Sequence, residues 1–319
     1  MLVDAGDTLV IAADIAEDRA AAVAGRTGAD HTASWTEVVD RPDVDTVVVS
    51  TSNEMLAEAS IAALRSGKNV LCEKPMGRTS GEALAIVDAA RTSGRVLKVG
   101  FNHRFHPAIA AAHALVRDGV IGEPFAIRSL YGHGGRAGLE REWRADAGRS
   151  GGGELLDQGV HIVDLARWFM GEIVEVQGFV KAYYWNIDPV EDNAFAMLRT
   201  SSGGIVSLHT SWTQWLNTFR FEILGRDGFL RIDGLGGSYG PEMLTVGTRN
   251  ADSSPPIEKI SAFPGEDRSW HAEWQEFASA IAERRDPVGD AQDGLAAARI
   301  IDAIYASATT GNITPVARS

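Results

Sequence analysis

Short apolar runs alternate with stretches of helical periodicity throughout the first hundred residues of the chain. Strands are predicted at residues 8–13, 45–50, 69–72 and 96–100, and helices at 17–24, 55–65 and 80–91. Short β-branched runs such as DTVVVS are typical of strands buried on both faces of a parallel sheet. Because parallel strands need helical crossovers, the alternation predicts an α/β unit with a right-handed, doubly wound parallel sheet.

Beyond Gly100 the pattern changes, because strands follow one another with fewer helices between them. Strands are predicted at 125–131, 174–184, 193–199, 204–210, 218–224 and 228–232, and helices at 108–117, 155–169, 270–283 and 293–308. Serine and glycine turns at 202–204 and 225–228 separate neighbouring strands. We therefore expect two domains, residues 1–101 and residues 102–319. The second should be an α+β domain, an open and mostly antiparallel sheet covered by helices on one face.

The composition restricts the kinds of partner and compartment. Lys and Arg number 30 against 43 Asp and Glu, and the formal charge of -13 disfavours nucleic acid and anionic membranes as partners. The lone Cys72 excludes an internal disulfide, and a small thiol ending a buried strand needs no catalytic role. No apolar run approaches the roughly 18 residues of a membrane helix, and the start MLVDAGD does not resemble a signal peptide. These features predict a cytoplasmic protein.

Glu73-Lys74-Pro75 follows the predicted strand 69–72 directly. Open α/β sheets bind their ligands at the carboxyl ends of strands, so this tripeptide lies where a ligand is expected. The proline restricts the turn and leaves the lysine on a defined backbone. The alternative is that Lys74 is a solvated turn residue.

A glycine-rich segment, GGGELLDQGVHIVD, occupies residues 151–164. On a helix Asp157, His161 and Asp164 would lie near one face, and a histidine exchanges protons near neutral pH. This pattern predicts an acid/base group with a carboxylate neighbour. The alternative is a capped helix with an ordinary Asp-His pair, and no metal site is predicted because no further ligand cluster has zinc spacing.

Taken together, the two motifs closely resemble the Gfo/Idh/MocA family of glucose-fructose and inositol-type oxidoreductases. The resemblance extends to Asp14 after a strand, to residues 50–53 (STSN), to residues 99–107 (VGFNHRFHP) and to Trp143-Arg144. The chain differs from the family in having Thr51-Ser52-Asn53 instead of Thr-Pro-Asn. It also has no G-x-G-x-x-G turn before its first strand.

The resemblance implies an NAD(P)-dependent oxidoreductase that transfers a hydride between a nicotinamide and a hydroxyl or keto carbon of a sugar, cyclitol or nucleotide-sugar. Lys74 would lie beside the nicotinamide and polarise the reacting oxygen, and Pro75 would follow a cis peptide as it often does in relatives. His161 would be the general acid/base. Asp157 would bind a substrate hydroxyl or orient the histidine, whereas Asp164 would support the residues that touch the substrate or serve a structural role in the helix. Asp14 favours NAD over NADP, because a carboxylate accepts from ribose hydroxyls and repels a 2'-phosphate.

The remaining site residues follow from the same resemblance. The cofactor site would include Asp14, Ser50, Thr51, Asn53, Glu73, Lys74, Arg104, Trp143 and Arg144. The substrate site would include Asn102, His103, Asp157 and His161. Arg104, Trp143 and Arg144 are equally explained by packing and an ion pair between the two domains. A homodimer or homotetramer formed through the sheet of the second domain is expected.

Where the chain starts suggests that a first βα unit is missing. Only residues 1–6 precede the strand ending at Asp14, so roughly 25 to 30 residues of a strand, phosphate loop and helix are expected to be absent. A start placed too far downstream, direct pairing of strands 8–13 and 45–50, and a noncatalytic relative are the three explanations. The first is favoured.

Two alternative functions remain: a noncatalytic binding protein and an NAD-dependent glycosidase. Residues 132–137 (GHGGRA) match a phosphate-loop pattern, but no clear helix follows them. We interpret this segment as a loop on the substrate side, with His133 and Arg136 as candidate ligand contacts.

Overall fold

A computed structural model describes residues 6–252 and 254–317. The chain divides into two compact units. The first contains the residues up to Gly100 together with Trp270–Leu295, and the second contains Phe101–Ser269 together with the residues from Ala296 onward. Each unit has its own sheets.

The helices and strands are numbered in chain order. The strands are β1 (Ile11–Ala13), β2 (Asp30–Thr32), β3 (Thr46–Val49), β4 (Asn69–Cys72), β5 (Leu97–Val99), β6 (Pro124–Gly132), β7 (Ile173–Lys181), β8 (Asn193–Thr200), β9 (Ile205–Ser211), β10 (Thr218–Gly225), β11 (Gly228–Asp233), β12 (Glu242–Thr248), β13 (Ile257–Phe263) and β14 (Thr314–Pro315). The α-helices are α1 (Glu17–Thr27), α2 (Trp35–Asp40), α3 (Asn53–Arg65), α4 (Ser80–Ser93), α5 (Pro107–Arg117), α6 (Ala147–Ser150), α7 (Val160–Met170), α8 (Ser269–Glu283) and α9 (Ala291–Thr310).

The first unit has the predicted parallel βα architecture. Strands β3, β4 and β5 form one parallel sheet, and β1 pairs with β2 in a second parallel group. Strand β2 and helix α2 escape sequence prediction, because a three-residue strand with the sequence DHT and a six-residue helix are too short for a periodic signal. Within the described residues β1 does not pair with β3, so the direct pairing considered above is absent there.

Helix α8 supplies an apolar face to the first unit. Trp274 and Phe277 pack on Leu71 of β4 in one buried cluster. Lys98 of β5 is fully buried and pairs with Glu276 of α8 at 3.0 Å between Nζ and Oε2. The sequence prediction assigned every residue after 101 to the second domain. The packing differs, because the face of β4 that carries Leu71 is covered by residues 200 positions later in the chain.

The second unit is built on a nine-stranded sheet in the order β13-β12-β11-β10-β6-β9-β8-β7-β14. Every pairing is antiparallel except that of β6 with β9, so the predicted open and mostly antiparallel sheet is confirmed. Strand β13 was not predicted, because its IEKISAF sequence belongs to a largely exposed edge and lacks a buried run. Strand β7 ends at Lys181 rather than 184, because the buried Asp192 carboxylate accepts the N–H groups of Tyr183, Tyr184 and Trp185.

One face of this sheet packs against helices. A row of paired residues crosses it from Gly178 on β7 to Phe221 on β10. Helix α9 packs at one end of the row, where a side chain at Gly178 would collide with Ile304. Helix α7 packs at the other, where the rings of Phe169 and Phe221 lie 5.6 Å apart. Over residues 6–252 and 254–317, no helix has the length and apolarity needed to cross a bilayer.

Candidate functional site

Three parallel strands of the first unit end in register. Val49, Cys72 and Val99 are paired across β3, β4 and β5. The residues that follow them, Ser50, Glu73 and Gly100, therefore lie at the same carboxyl edge. This is the edge at which open α/β sheets bind ligands.

The turn that carries Lys74 is held by backbone hydrogen bonds. The Glu73 N–H donates to the Val49 carbonyl at 2.9 Å, and the Gly100 N–H donates to the Cys72 carbonyl at 2.8 Å. Any side chain at position 100 would place its Cβ 2.9 Å from Oε2 of Glu73, so that carboxylate lies against bare backbone. The Lys74-Pro75 peptide is cis, as the family resemblance implies. The sheet edge thus carries the lysine on an ordered turn.

Candidate cofactor residues of the first unit follow β1 and β3. Asp14 comes directly after β1, and its Oδ1 accepts the Ala16 N–H at 2.8 Å. Ser50 and Thr51 follow β3 and are exposed, whereas Asn53 begins α3 and is buried. A carboxylate after one strand and hydroxyl, amide and ammonium groups after others form a donor and acceptor set that suits a polar dinucleotide. The residues present therefore fit NAD.

Cys72 is not part of this chemistry. Its thiol is fully buried, and burial raises its pKa to about 12. A thiol with such a pKa is not a nucleophile near neutral pH.

Two glycines of the second motif, Gly152 and Gly153, lie in a crowded turn of the second unit. A side chain at Gly153 would place its Cβ 1.9 Å from the Glu191 carbonyl oxygen, and one at Gly152 would lie 2.2 Å from the Tyr305 hydroxyl. The buried Glu191 carboxylate accepts the N–H groups of Gly153 and Leu155 and the Tyr305 hydroxyl, at 2.9 to 3.1 Å. Sequence analysis missed Glu191 and Tyr305, since neither belongs to the motif. They anchor the segment that leads to His161.

The predicted helix 155–169 is divided into two parts. Leu155–Gly159 form a π-helical turn, and α7 continues from Val160 to Met170. Such turns occur frequently at functional sites. Asp157 lies in this turn, and its Oδ2 accepts from Nε of Arg144 at 3.2 Å. The guanidinium of Arg144 also lies 4.5 Å from the centroid of the Trp143 ring.

His161 lies in the first turn of α7 and is buried. Its ring stacks on that of His103, with centroids 3.7 Å apart and planes 15° apart. His103 and Asn102 belong to a short 3-10 helix, Asn102–Phe105, and Nδ1 of His103 lies 3.1 Å from Oδ1 of Asn102. The predicted substrate residues Asn102, His103 and His161 are therefore brought together within this unit.

Asp164 lies elsewhere on α7. It forms a buried bidentate pair with Arg104, with N to O distances of 2.8 and 2.5 Å. This agrees with the structural role expected for Asp164. The same pair accounts for Arg104 by packing and charge, but both residues belong to the second unit, so this pair is not the one between domains that the sequence analysis considered.

Several polar groups lie on the loop after β6. Arg136 forms a bidentate pair with Glu142, at 2.7 and 2.6 Å. Nδ1 of His133 accepts the Gly135 N–H at 3.0 Å, and burial lowers the pKa of His133 although Asp157 opposes the shift.

Trp143 lines a surface cavity of about 260 Å³ together with Glu140, Arg141, Glu142, Ala145, Asp146 and Arg149. Among the described residues, no group of three His, Cys, Asp or Glu side chains could hold a metal ion.

Comparisons with known proteins cover both units. Residues 3–101 match the model of an oxidoreductase family with an NAD-binding Rossmann fold, and residues 109–231 match the GFO/IDH/MocA C-terminal domain. A 1,5-anhydro-D-fructose reductase of Ensifer adhaerens is 32% identical, over 98% of this chain and 92% of that protein. A levoglucosan dehydrogenase of Pseudarthrobacter phenanthrenivorans is 29% identical, over 93% of this chain and 87% of that protein.

A solved structure of levoglucosan dehydrogenase in complex with NADH and levoglucosan superposes with a TM-score of 0.89. It is 26% identical and covers 98% of this chain and 92% of that one. The architecture of both units and the length of the matches agree on one assignment. The chain belongs to the Gfo/Idh/MocA family of NAD-binding oxidoreductases.

Proposed function

We propose that this protein oxidises a hydroxyl group of a sugar, cyclitol or nucleotide-sugar, or reduces the corresponding ketone, with NAD as cofactor. The observation that carries the proposal is the placement of His161, a buried imidazole at the start of α7, four residues after Asp157. An imidazole exchanges protons near neutral pH, and the hydroxyl of a polyol must lose one during oxidation. The sugar substrates of the relatives named above support the same class.

Three side chains carry the proposed chemistry. His161 takes the hydroxyl proton through a ring nitrogen during oxidation and returns it during reduction. The Lys74 ammonium donates to the substrate oxygen and stabilises the negative charge that develops on it. Asp157 accepts from a second hydroxyl of the polyol and thereby orients the reacting carbon.

Cofactor binding is assigned to residues of the first unit. When bound, NAD supplies the hydride acceptor. Asp14 would accept from the adenosine ribose hydroxyls, which favours NAD over NADP. Ser50, Thr51, Asn53, Glu73 and Lys74 would line the site from the ends of β3 and β4. Trp143 and Arg144 stay as proposed contacts, whereas the bidentate pair of Arg104 with Asp164 gives no support to a cofactor role for Arg104.

A screen of sugars and cyclitols for NADH formation tests this function. Levoglucosan and myo-inositol with NAD, and 1,5-anhydro-D-fructose with NADH, are the first probes. We expect Lys74→Met and His161→Asn each to lower kcat/KM by about a hundredfold or more, as the loss of an acid/base or electrostatic group does. The matched controls Lys181→Met and His31→Asn change exposed residues and should retain full activity.

Normal turnover by a Lys74→Met, His161→Asn double variant would contradict the proposed site. Energy transfer from protein tryptophan to bound NADH measures cofactor binding separately. Absence of binding at millimolar NADH would favour a noncatalytic binding protein. Sugar release without net NADH formation would instead identify an NAD-dependent glycosidase.

We further propose that the protein is cytoplasmic and assembles as a homodimer or homotetramer through the sheet of the second unit. The face opposite the helices exposes Phe179, Phe195 and Met197 to 64%, 41% and 49%. Neighbouring apolar residues exposed to this extent are typical of a protein interface.

A further inference from the structure

A row of hydrogen bonds in the second unit ends at the ring that stacks on His161. Nε2 of His103 lies 3.2 Å from the Tyr131 hydroxyl, and Nδ1 lies 3.1 Å from Oδ1 of Asn102. The amide nitrogen of Asn102 donates to the Ser269 hydroxyl at 2.9 Å. His103, Asn102 and Tyr131 are all buried, so these contacts are shielded from water.

The row determines which nitrogen of His103 carries a hydrogen. Because the Asn102 amide nitrogen donates to Ser269, its oxygen faces His103 and can only accept. Nδ1 of His103 must therefore be the donor. If the imidazole is neutral, its other nitrogen is an acceptor, and the Tyr131 hydroxyl at 3.2 Å can donate to Nε2. Burial raises the pKa of Tyr131 well above its usual value, so this hydroxyl keeps its proton.

The ring of His103 is also enclosed by other rings. The ring centroids of Tyr131, His106 and Phe219 lie 5.4, 5.5 and 6.1 Å from the ring centroid of His103. The rings of Phe101 and His161 form a T-shaped pair with their centroids 6.4 Å apart. Two stacked imidazoles at 3.7 Å could not both become cations without strong repulsion.

We propose that His103 is a positioning residue for His161: held neutral by Asn102 and Tyr131, it fixes the plane of the His161 ring and adds no charge that would oppose protonation of that ring. The inference rests on the proposed role of His161 as acid/base. A neutral neighbour adds no like charge when His161 is protonated, so proton transfer from the substrate is not opposed. The hydrogen bond that keeps His103 neutral is the one from Tyr131, because donation to Nε2 stabilises only the uncharged form.

Other ionisable groups lie on the elements around the pair. They are His106 and Arg104 on the 3-10 helix and its end, Asp157 and Glu154 beside the π-helical turn, Asp164 on α7, and Tyr239, Glu242 and Asp267 between β11 and α8. Glu242 pairs with His106, and Asp164 pairs with Arg104. Tyr239 shares a hydrogen bond with Tyr131.

Nitrogen-15 NMR of histidine-labelled protein tests the assignment directly, without any substrate. We expect His103 to carry its hydrogen on Nδ1 and to stay neutral at every pH at which His161 is observed to titrate. In Tyr131→Phe, which keeps the ring but removes the hydroxyl, His103 should take up a proton at a higher pH than in the unchanged protein. A hydrogen on Nε2, or a charged His103 at neutral pH in the unchanged protein, would overturn the inference.

Kinetics with levoglucosan and NAD test the consequence. We expect Tyr131→Phe and His103→Ala to lower kcat about tenfold to hundredfold and to alter its pH profile, while KM for NAD changes less than about twofold. His103→Phe restores a neutral ring and should recover most of the loss in kcat. The control His113→Asn removes a different stacked histidine, 3.6 Å from the Trp168 ring, and should leave the pH profile unchanged.

The two proposals fail in different ways. Full activity of His161→Asn would contradict the proposed function, whereas the NMR assignment of His103 would stand on its own. The positioning role alone would be overturned by a different pair of results. His161→Asn would be inactive, while Tyr131→Phe would keep the pH profile and the histidine titrations of the wild-type protein. Near-ultraviolet circular dichroism of each variant checks that the fold is retained.

Discussion

At the scale of single residues, Glu191 shows how a buried carboxylate can organise a site that it does not enter. It lies just before β8, yet it accepts two backbone N–H groups at the start of the π-helical turn and the hydroxyl of Tyr305 on α9. Burial raises the pKa of Glu191, and these hydrogen bonds lower it only in part. The charged carboxylate therefore depends on its donors.

Tyr305→Phe removes one of those donors and keeps the ring. We expect the free energy of unfolding to fall by about 2 kcal/mol near pH 8, the usual value of a hydrogen bond to a charged group. The loss should be smaller near about pH 5. A pKa raised in the folded state means that stability declines as pH rises and the carboxylate ionises, and this variant raises the pKa further. Urea titrations at both pH values, with the exposed Tyr183→Phe as control, measure the difference; an equal loss at both would contradict this account.

At the scale of elements, the junction of the π-helical turn with α7 depends on bare backbone before it. Sequence analysis singled out a run of three glycines as part of a motif. The structure gives the reason for one of them, since the Glu191 carbonyl occupies the space of a Gly153 side chain. The same analysis predicted a single helix there. Propensity does not distinguish a π turn from an α turn, because both use the same residues.

Gly153→Ala should displace this junction. We expect a loss of about 3 kcal/mol in the free energy of unfolding, because a backbone oxygen 1.9 Å from the new Cβ cannot move away cheaply. Gly25→Ala in α1 is the matched control. Apart from its own helix, no atom lies within 4 Å of the new Cβ, and helix propensity should make this variant more stable by about 0.5 to 1 kcal/mol. Thermal unfolding of both variants measures the two changes in stability. Equal melting temperatures for the two variants would contradict the prediction.

At the scale of the whole molecule, the first unit is completed by a distant helix. Lys98 on β5 is fully buried and pairs with Glu276 on α8, and its ammonium also donates to the Val288 carbonyl. Burial raises the pKa of Glu276, but Lys98, Arg285 and the Val288 N–H together lower it below its usual value. The pair therefore contributes stability at neutral pH that is lost as pH falls through that lowered pKa.

Glu276→Gln leaves the Lys98 ammonium buried beside an uncharged group. We expect a loss of about 3 kcal/mol near neutral pH, the cost of removing one partner from a buried pair. The unchanged protein should approach the variant in stability as the solution becomes more acidic. Chemical denaturation across that range is the measurement. Glu283→Gln, at an exposed pair with Arg285, should change stability much less, because solvent screens an exposed ion pair.

Assembly is tested at the same scale. Phe195→Glu places a charge at the centre of the exposed sheet face and should reduce the mass measured by sedimentation, because a charge is costly to bury in an interface. Ile15→Glu changes another exposed apolar residue outside that face and should leave the mass unchanged. If the wild-type protein sediments as a monomer, assembly through this sheet is contradicted.

The local sequence determined the longer buried elements and the motifs of this protein. Alternation of β-branched runs and helices predicted β3 to β5. Turn residues at 202–204 and 225–228 predicted the turns that join β8 to β9 and β10 to β11, because these signals depend on neighbouring residues. Contacts between distant residues were decided only by tertiary structure. Three such contacts join residues 36 to 206 positions apart in the chain. They are the packing of α8 on β4, the hydrogen bonds from the glycine-rich segment to Glu191, and the stacking of His103 on His161. Such contacts leave no local pattern, because packing and not sequence distance brings them together.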